Sequence, residues 1–173
     1  LAVGTMALLC FEHVRAGVPG IGWLFATLTA YAVSSFPITN FGFDVDAADN
    51  HYALRILPFC VLALPGLLAR VVEALCSATS RLHRATDAIT VVLLAAVVVA
   101  PSFPGSSTDD LPGWYYGLIV AFLVQIAVSL TASSRTIRAT VQGQPAVTRM
   151  RGAALIASLA TFSLSYAAWV ILP

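Results

Sequence analysis

The densest polar constellation in the chain is Asp44-Val45-Asp46-Ala47-Ala48-Asp49-Asn50-His51. Its three carboxylates, amide and imidazole offer a hard divalent cation several oxygen ligands. The spacing is not that of a calcium-binding hand, which needs a glycine in its turn and a distal glutamate. The competing reading is a solvated loop that avoids positive charge, and no metal site is assigned. The histidines, His13, His51 and His83, each fall in a polar gap between apolar runs, so no two can clamp a haem inside a bilayer. No His-Glu-x-x-His and no paired Cys/His spacing exists. Lysine is absent, so this stretch has no Schiff-base partner for retinal. There is no Gly-x-Ser-x-Gly elbow, no phosphate-binding glycine loop and no aspartate pair within an apolar run. No catalytic residue and no cofactor is assigned.

Cys10, Cys60 and Cys76 sit at three predicted depths, which makes a disulfide between any two unfavourable, and no CxxC occurs. They read as small apolar filler. Gln125 is the one strongly polar side chain near the middle of an apolar run. An amide there wants a partner across a helix interface, or a ligand. Arg55 stands at the outer start of another run. It can snorkel toward Asp44, Asp46 or Asp49, or face an anionic ligand beside Pro58. A ligand site, if the chain has one, is expected in the outer half. Its candidates are Arg55, Pro58, Trp114, Tyr115, Tyr116 and Gln125, with the acidic loop closing above.

The elements that must position these residues are apolar. Hydrophobic residues make up 59% of the 173 and charged residues 10%, with a mean hydropathy of +0.89. A soluble domain of this length could not hide so much apolar surface, whereas a bilayer excludes charge into the gaps between spans. Eight of the nine arginines lie in alternate gaps: Arg15 in the first, Arg70, Arg81 and Arg84 in the third, Arg135, Arg138, Arg149 and Arg151 in the fifth. Asp44, Asp46 and Asp49 mark the second gap, and Asp109 and Asp110 the fourth. Arginine retained on one side is the positive-inside signature. The expected location is therefore the inner (plasma) membrane, multi-pass. Gaps 12–19, 70–87 and 133–151 are read as cytoplasmic, and gaps 37–52 and 101–113 as outside. No basic patch exceeds what this topology requires, which argues against nucleic acid as a partner and leaves the lipid bilayer.

Leu1 to Phe11 is too short to cross a ~30 Å hydrocarbon core at ~1.5 Å per residue. It begins without Met, so it reads as a truncated span in a fragment of a longer chain. The second run, Gly20 to Phe36, repeats small residues at Gly22, Ala26, Ala30 and Ser34, a stripe that lets another helix approach closely. The third, Ala53 to Ala69, holds Pro58 and Pro65 and should be kinked or locally unwound. Ala88 to Ala100, Trp114 to Ala132 and Gly152 to Leu172 complete the set. Phe36, Tyr52, Trp114, Tyr115, Tyr116, Tyr166 and Trp169 are predicted at the outer ends, as an aromatic collar would be. The hydroxyls of Ser158, Thr161, Ser163 and Ser165 are expected to bond back to their own helix. The fold class is thus all-α: one domain over 1–173, a polytopic transmembrane bundle with about six visible spans.

Three segments carry a resemblance to a known family. They are His13-Val14-Arg15-Ala16-Gly17-Val18-Pro19 before a span opening near Trp23, Leu57-Pro58-Phe59, and the gap from Arg135 to Arg151 leading into Gly152. With its N-out topology, the chain resembles the amino-terminal seven-helix membrane sensor domain of bacterial histidine kinases and related signalling proteins. The resemblance implies an input module that relays an extracytoplasmic or intramembrane signal, through a seventh helix, to a cytoplasmic output such as a kinase. It leaves room for an unknown small ligand and for a homodimer formed through the full-length protein, and fixes neither. A transporter or channel part is the first rival, although Pro58 and Pro65 break one run with no matching second. A membrane-embedded enzyme is the second rival, for which only the outer aspartates offer clustered chemistry.

Overall fold

The computed structural model describes residues 20–40, 51–78, 80–100 and 113–171; side chains are described for these except 35–40, 51–55, 57 and 169–171. The described residues form five helices and no strand: α1 (Ile21–Asn40), α2 (His51–Cys76), α3 (Arg81–Val99), α4 (Gly113–Val141) and α5 (Ala146–Ile171). Helix is the only local structure that satisfies every backbone group within one apolar segment, so valine-rich α3 is helical despite its strand propensity.

Each described turn has its own stop and start chemistry. α2 ends where Ser77 turns left-handed (φ 50°), with Ala78 N–H donating to the Glu73 carbonyl at 3.3 Å and Ser77 N–H to Ala74 at 3.4 Å. This is a Schellman closure with serine where glycine is usual. Ser80 then caps α3, its Oγ accepting the His83 backbone N–H at 3.3 Å. α4 closes through Gln142 N–H to Arg138 at 3.0 Å, and Pro145 precedes α5.

Pairwise contacts fix the directions. Trp23 of α1 lies under Arg70 of α2, and a Cβ on Gly20 would come within 2.8 Å of the Ala74 Cβ, so α1 and α2 are antiparallel. Gly66 meets Thr90 and Arg70 meets Asp87, which makes α3 antiparallel to α2. Gln125 reaches Leu62 and Ser129 reaches Pro65, so α4 runs parallel to α2. Gly152 against Val141 and Phe122 against Tyr166 turn α5 back again. α2 is the hub, packing on α1, α3 and α4, whereas α5 packs mainly on α4. Leu62, Leu64, Leu93, Val97, Phe122 and Ile126 fill the apolar core around that hub.

Several expectations change. The gaps 70–87 and 133–151 are mostly helix: among the described residues only 77, 78, 80 and 142–145 interrupt it, because caps rather than charges end these helices. α2 is continuous across both prolines, so it is not locally unwound. Three described helices are long and apolar enough to cross a membrane (Pro58–Cys76, Arg81–Val99 and Gly113–Val141), and Ile21–Ser34 is a shorter apolar helix. That is fewer than six spans. The first run lies outside the described residues, and α5 carries Arg149 and Arg151 in its opening turns. Tyr166 is not in an outer collar. It is buried against Phe122, with ring centroids 6.1 Å apart, and stacked on Phe162 at 6.0 Å.

Candidate functional site

Two polar knots join the hub to its neighbours. The first is at mid-bundle. Gln125 on α4 is fully buried, and its Nε2 donates to the Leu62 carbonyl at 3.0 Å and to Thr90 Oγ1 at 2.7 Å. One amide thereby binds three helices. Its orientation follows from chemistry: a carbonyl can only accept, so the NH2 must face Leu62. Thr90 accepts that bond and donates its own hydrogen bond to the Thr86 carbonyl at 2.8 Å. One turn along α4, Ser129 Oγ donates to the Pro65 carbonyl at 2.6 Å. On the other side of α2, the approach of α3 is close because residue 66 is glycine. A Cβ there would lie 2.5 Å from Thr90 Oγ1, and Thr90 is held from both sides. The polar face of α4 continues through buried Ser133 and Thr136.

The second knot is charged and lies at the end where α2 passes to α3 and α4 to α5. Arg70 grips Asp87 of α3 with a fork, Nε to Oδ1 at 3.0 Å and Nη2 to Oδ2, while Nη1 holds Glu73 at 2.6 Å. Its guanidinium also lies 5.8 Å from the Trp23 ring centre. Bidentate and charge-assisted, these bonds are of the stronger kind, tempered by the partial exposure of Arg70 and Asp87. Beside them, His83 is buried within the first turn of α3 and not in an open gap. Its Nδ1 pairs with Ser80 Oγ at 2.8 Å. His83 Nε2 and Gln125 Oε1 are buried without a protein partner among the described residues.

The candidate ligand residues are not gathered into one pocket. Trp114 and Tyr116 are exposed, and Trp114 meets Tyr115 edge to face at 5.9 Å. The α2–α4 register sets Tyr115 level with residues 51–52, and Pro58 level with 121–122. That separates the aromatic group from Pro58 by ~10 Å along the axis. Gln125 is deeper still and occupied by interhelical bonds. The Arg55 side chain and the acidic loop from Asp44 to Asp49 lie outside the described residues. In the small-residue stripe, Ala30 and Ser34 are buried and Ala26 is half-buried, but Gly22 faces open space. Thr27, off the stripe, is buried and bonds back to Trp23 at 2.7 Å. Cys60 and Cys76 are free thiols. Ser158 Oγ returns its bond to Ala154 at 2.9 Å, within its own helix.

Sequence reasoning missed the Arg70–Glu73–Asp87 knot, the Gly66–Thr90 approach and the burial of His83. Arg70 and Glu73 are three apart on one helix and were readable as a pair. Asp87 joins them only through the packing of α3. No group of three His, Cys, Asp or Glu suited to a metal occurs among the described residues. No family model matches the chain, and no curated protein or solved structure is similar to it at a significant level. What fold and contacts define is a class: an all-helical bundle with bilayer-length apolar helices, cross-linked internally by buried polar bonds.

Proposed function

We propose that the chain is a membrane-embedded sensory or input domain, which relays a change in helix packing to a cytoplasmic output such as a histidine kinase. It sits multi-pass in the inner membrane with its arginine end in the cytoplasm. Part of a seven-helix bundle, it counts the first run and all five helices as spans. Exposed Val91, Val92, Val98 and Val99 on α3, with Trp23, Phe25 and Tyr31 on α1, support burial in lipid, since water would not tolerate so much apolar surface on a free monomer. The arginines gathered at one end support the orientation.

One observation carries the relay itself. Donors on α4 repeat at one-turn spacing: Gln125, Ser129 and Ser133 are all buried, and the first two serve α2 carbonyls at Leu62 and Pro65. Sliding α4 outward by one turn, ~5.4 Å, would hand those two carbonyls to Ser129 and Ser133. Two registers of similar bonding make a two-state element, which a signal can bias only by preferring one of them. Pro65 helps: with no N–H of its own it leaves the Val61 carbonyl without a helix donor beside the contact. The test is Gln125→Leu in the intact protein. It removes the donor specific to the present register and leaves the serines, so basal output should shift while insertion and helix content stay as in the parent. Output and stimulus response unchanged from the parent would sink the relay.

A further inference from the structure

We propose that the inner turn between α4 and α5 is a docking surface for the phosphates of anionic phospholipids. This rests on the membrane reading above and adds a lipid class to it. Arg135 and Arg138 stand on the last turns of α4, and Arg149 and Arg151 on the first turns of α5; all four are exposed. No aspartate or glutamate occurs anywhere from Gly113 to Pro173. The two described carboxylates at this end of the bundle, Glu73 and Asp87, are both taken by Arg70. The four guanidiniums therefore have no anionic partner within the described protein.

Their chemistry favours phosphate. A guanidinium is a planar fork that matches two phosphate oxygens, and every cation in this chain other than histidine is arginine. The neighbours favour lipid over a free anion. Val147 and Met150 flank Arg149 and are 59% and 72% exposed. Apolar side chains beside arginines suit the boundary where headgroups meet acyl chains. Each arginine near an anionic leaflet contributes ~1 kcal/mol, roughly a fivefold preference.

The test reconstitutes the chain in phosphatidylcholine vesicles with a trace of spin-labelled phosphatidylglycerol, and measures the lipid held at the protein surface. The parent should enrich phosphatidylglycerol over labelled phosphatidylcholine, and the quadruple variant R135Q/R138Q/R149Q/R151Q should lose most of that enrichment. R81Q/R84Q should lose less, because Arg81 and Arg84 share their turn with Glu73 and Asp87. Equal enrichment in the parent and the quadruple variant would overturn the proposal, as would an equal loss in R81Q/R84Q. Displacement of the labelled lipid by millimolar-range inorganic phosphate at constant ionic strength would also overturn it, by pointing to a free-anion site. Alkaline extraction of the same vesicles is scored separately. Release of the parent chain there defeats the membrane reading itself, whereas retention without lipid preference defeats only the docking surface.

Discussion

The α2–α3 and α4–α5 turns, at one end of the bundle, use the same residue type in opposite ways. Between α2 and α3, Arg70 is neutralised by Glu73 and Asp87, the turn is capped by Ser80, and His83 is buried beside it. Between α4 and α5, four arginines stand exposed with no acid in the segment. The difference follows the face each arginine stands on. Arg70 lies on the side of α2 that meets α3, so its charge is paired with Asp87 across that contact. Arg135 and Arg138 stand on an exposed face of α4, although α4 also packs on three helices, and Arg149 and Arg151 stand exposed on α5, which packs mainly on α4. Arginine near a helix end is thus a structural tie on a face that meets another helix and a surface charge on a face that does not.

Glycine offers the sharpest way to break this comparison. Gly66→Val should destabilise the bundle by about 3 kcal/mol, because Thr90 is held by Gln125 and by the Thr86 carbonyl and cannot give way. The same change at Gly152 meets Val141 Cγ1 at 2.9 Å and Cγ2 at 3.2 Å, a smaller overlap than the 2.5 Å at Gly66 and against a half-buried residue that ends its helix, so its cost should be smaller. Unfolding of both variants in detergent micelles checks the order. Equal losses would mean that the α4–α5 contact at Gly152 is packed as tightly as the mid-bundle α2–α3 contact at Gly66.

Removing charge comes next in size. Arg70→Met strands two carboxylates, one of them nearly buried, and should cost about 1–3 kcal/mol after allowance for the exposure of Arg70. Arg138→Met, on the exposed rim, should change stability in a zwitterionic detergent by less than ~0.5 kcal/mol. Comparable losses in the same unfolding assay would show the α4–α5 arginines to be structural after all.

The smallest effect sharpens the account of the α2–α3 turn. Ser77 holds a left-handed φ of 50° at the end of α2. Ser77→Gly removes the Cβ penalty there and should stabilise by about 0.5–1 kcal/mol, less what glycine loses in unfolded-state entropy. A lowered thermal midpoint in Ser77→Gly would show that serine makes a contact worth more than the strain.

Much of the architecture was legible, and the reason is solvent. Apolar runs at Gly20 to Phe36, Ala53 to Ala69 and Trp114 to Ala132 each lie within or nearly within a helix, because an apolar segment has few other ways to satisfy its backbone. Helix ends were less legible. α4 continues to Val141, past Arg135 and Arg138, because snorkelling arginines do not terminate a helix. Gln125 stood out as a buried amide in want of a partner, but its partners could not be read. The Leu62 carbonyl is a backbone group that any residue would supply, and Thr90 is one hydroxyl among many. The aromatic residues from Trp114 to Tyr116 looked level with Pro58 because run ends were aligned. The true register, set by Gln125 and Ser129, moved them apart by about two turns.

By itself, then, the sequence determined what its local chemistry dictates: helices in the long apolar runs and the gathering of arginine at one end. Each of these depends on the free energy of one segment against its solvent. Tertiary structure alone decided which arginine is neutralised, which glycine lies against a neighbouring helix, and that His83 lies inside. Those outcomes depend on pairs such as Arg70–Asp87 and Gly66–Thr90, many residues apart, whose meeting is fixed by the summed packing of α2, α3 and α4.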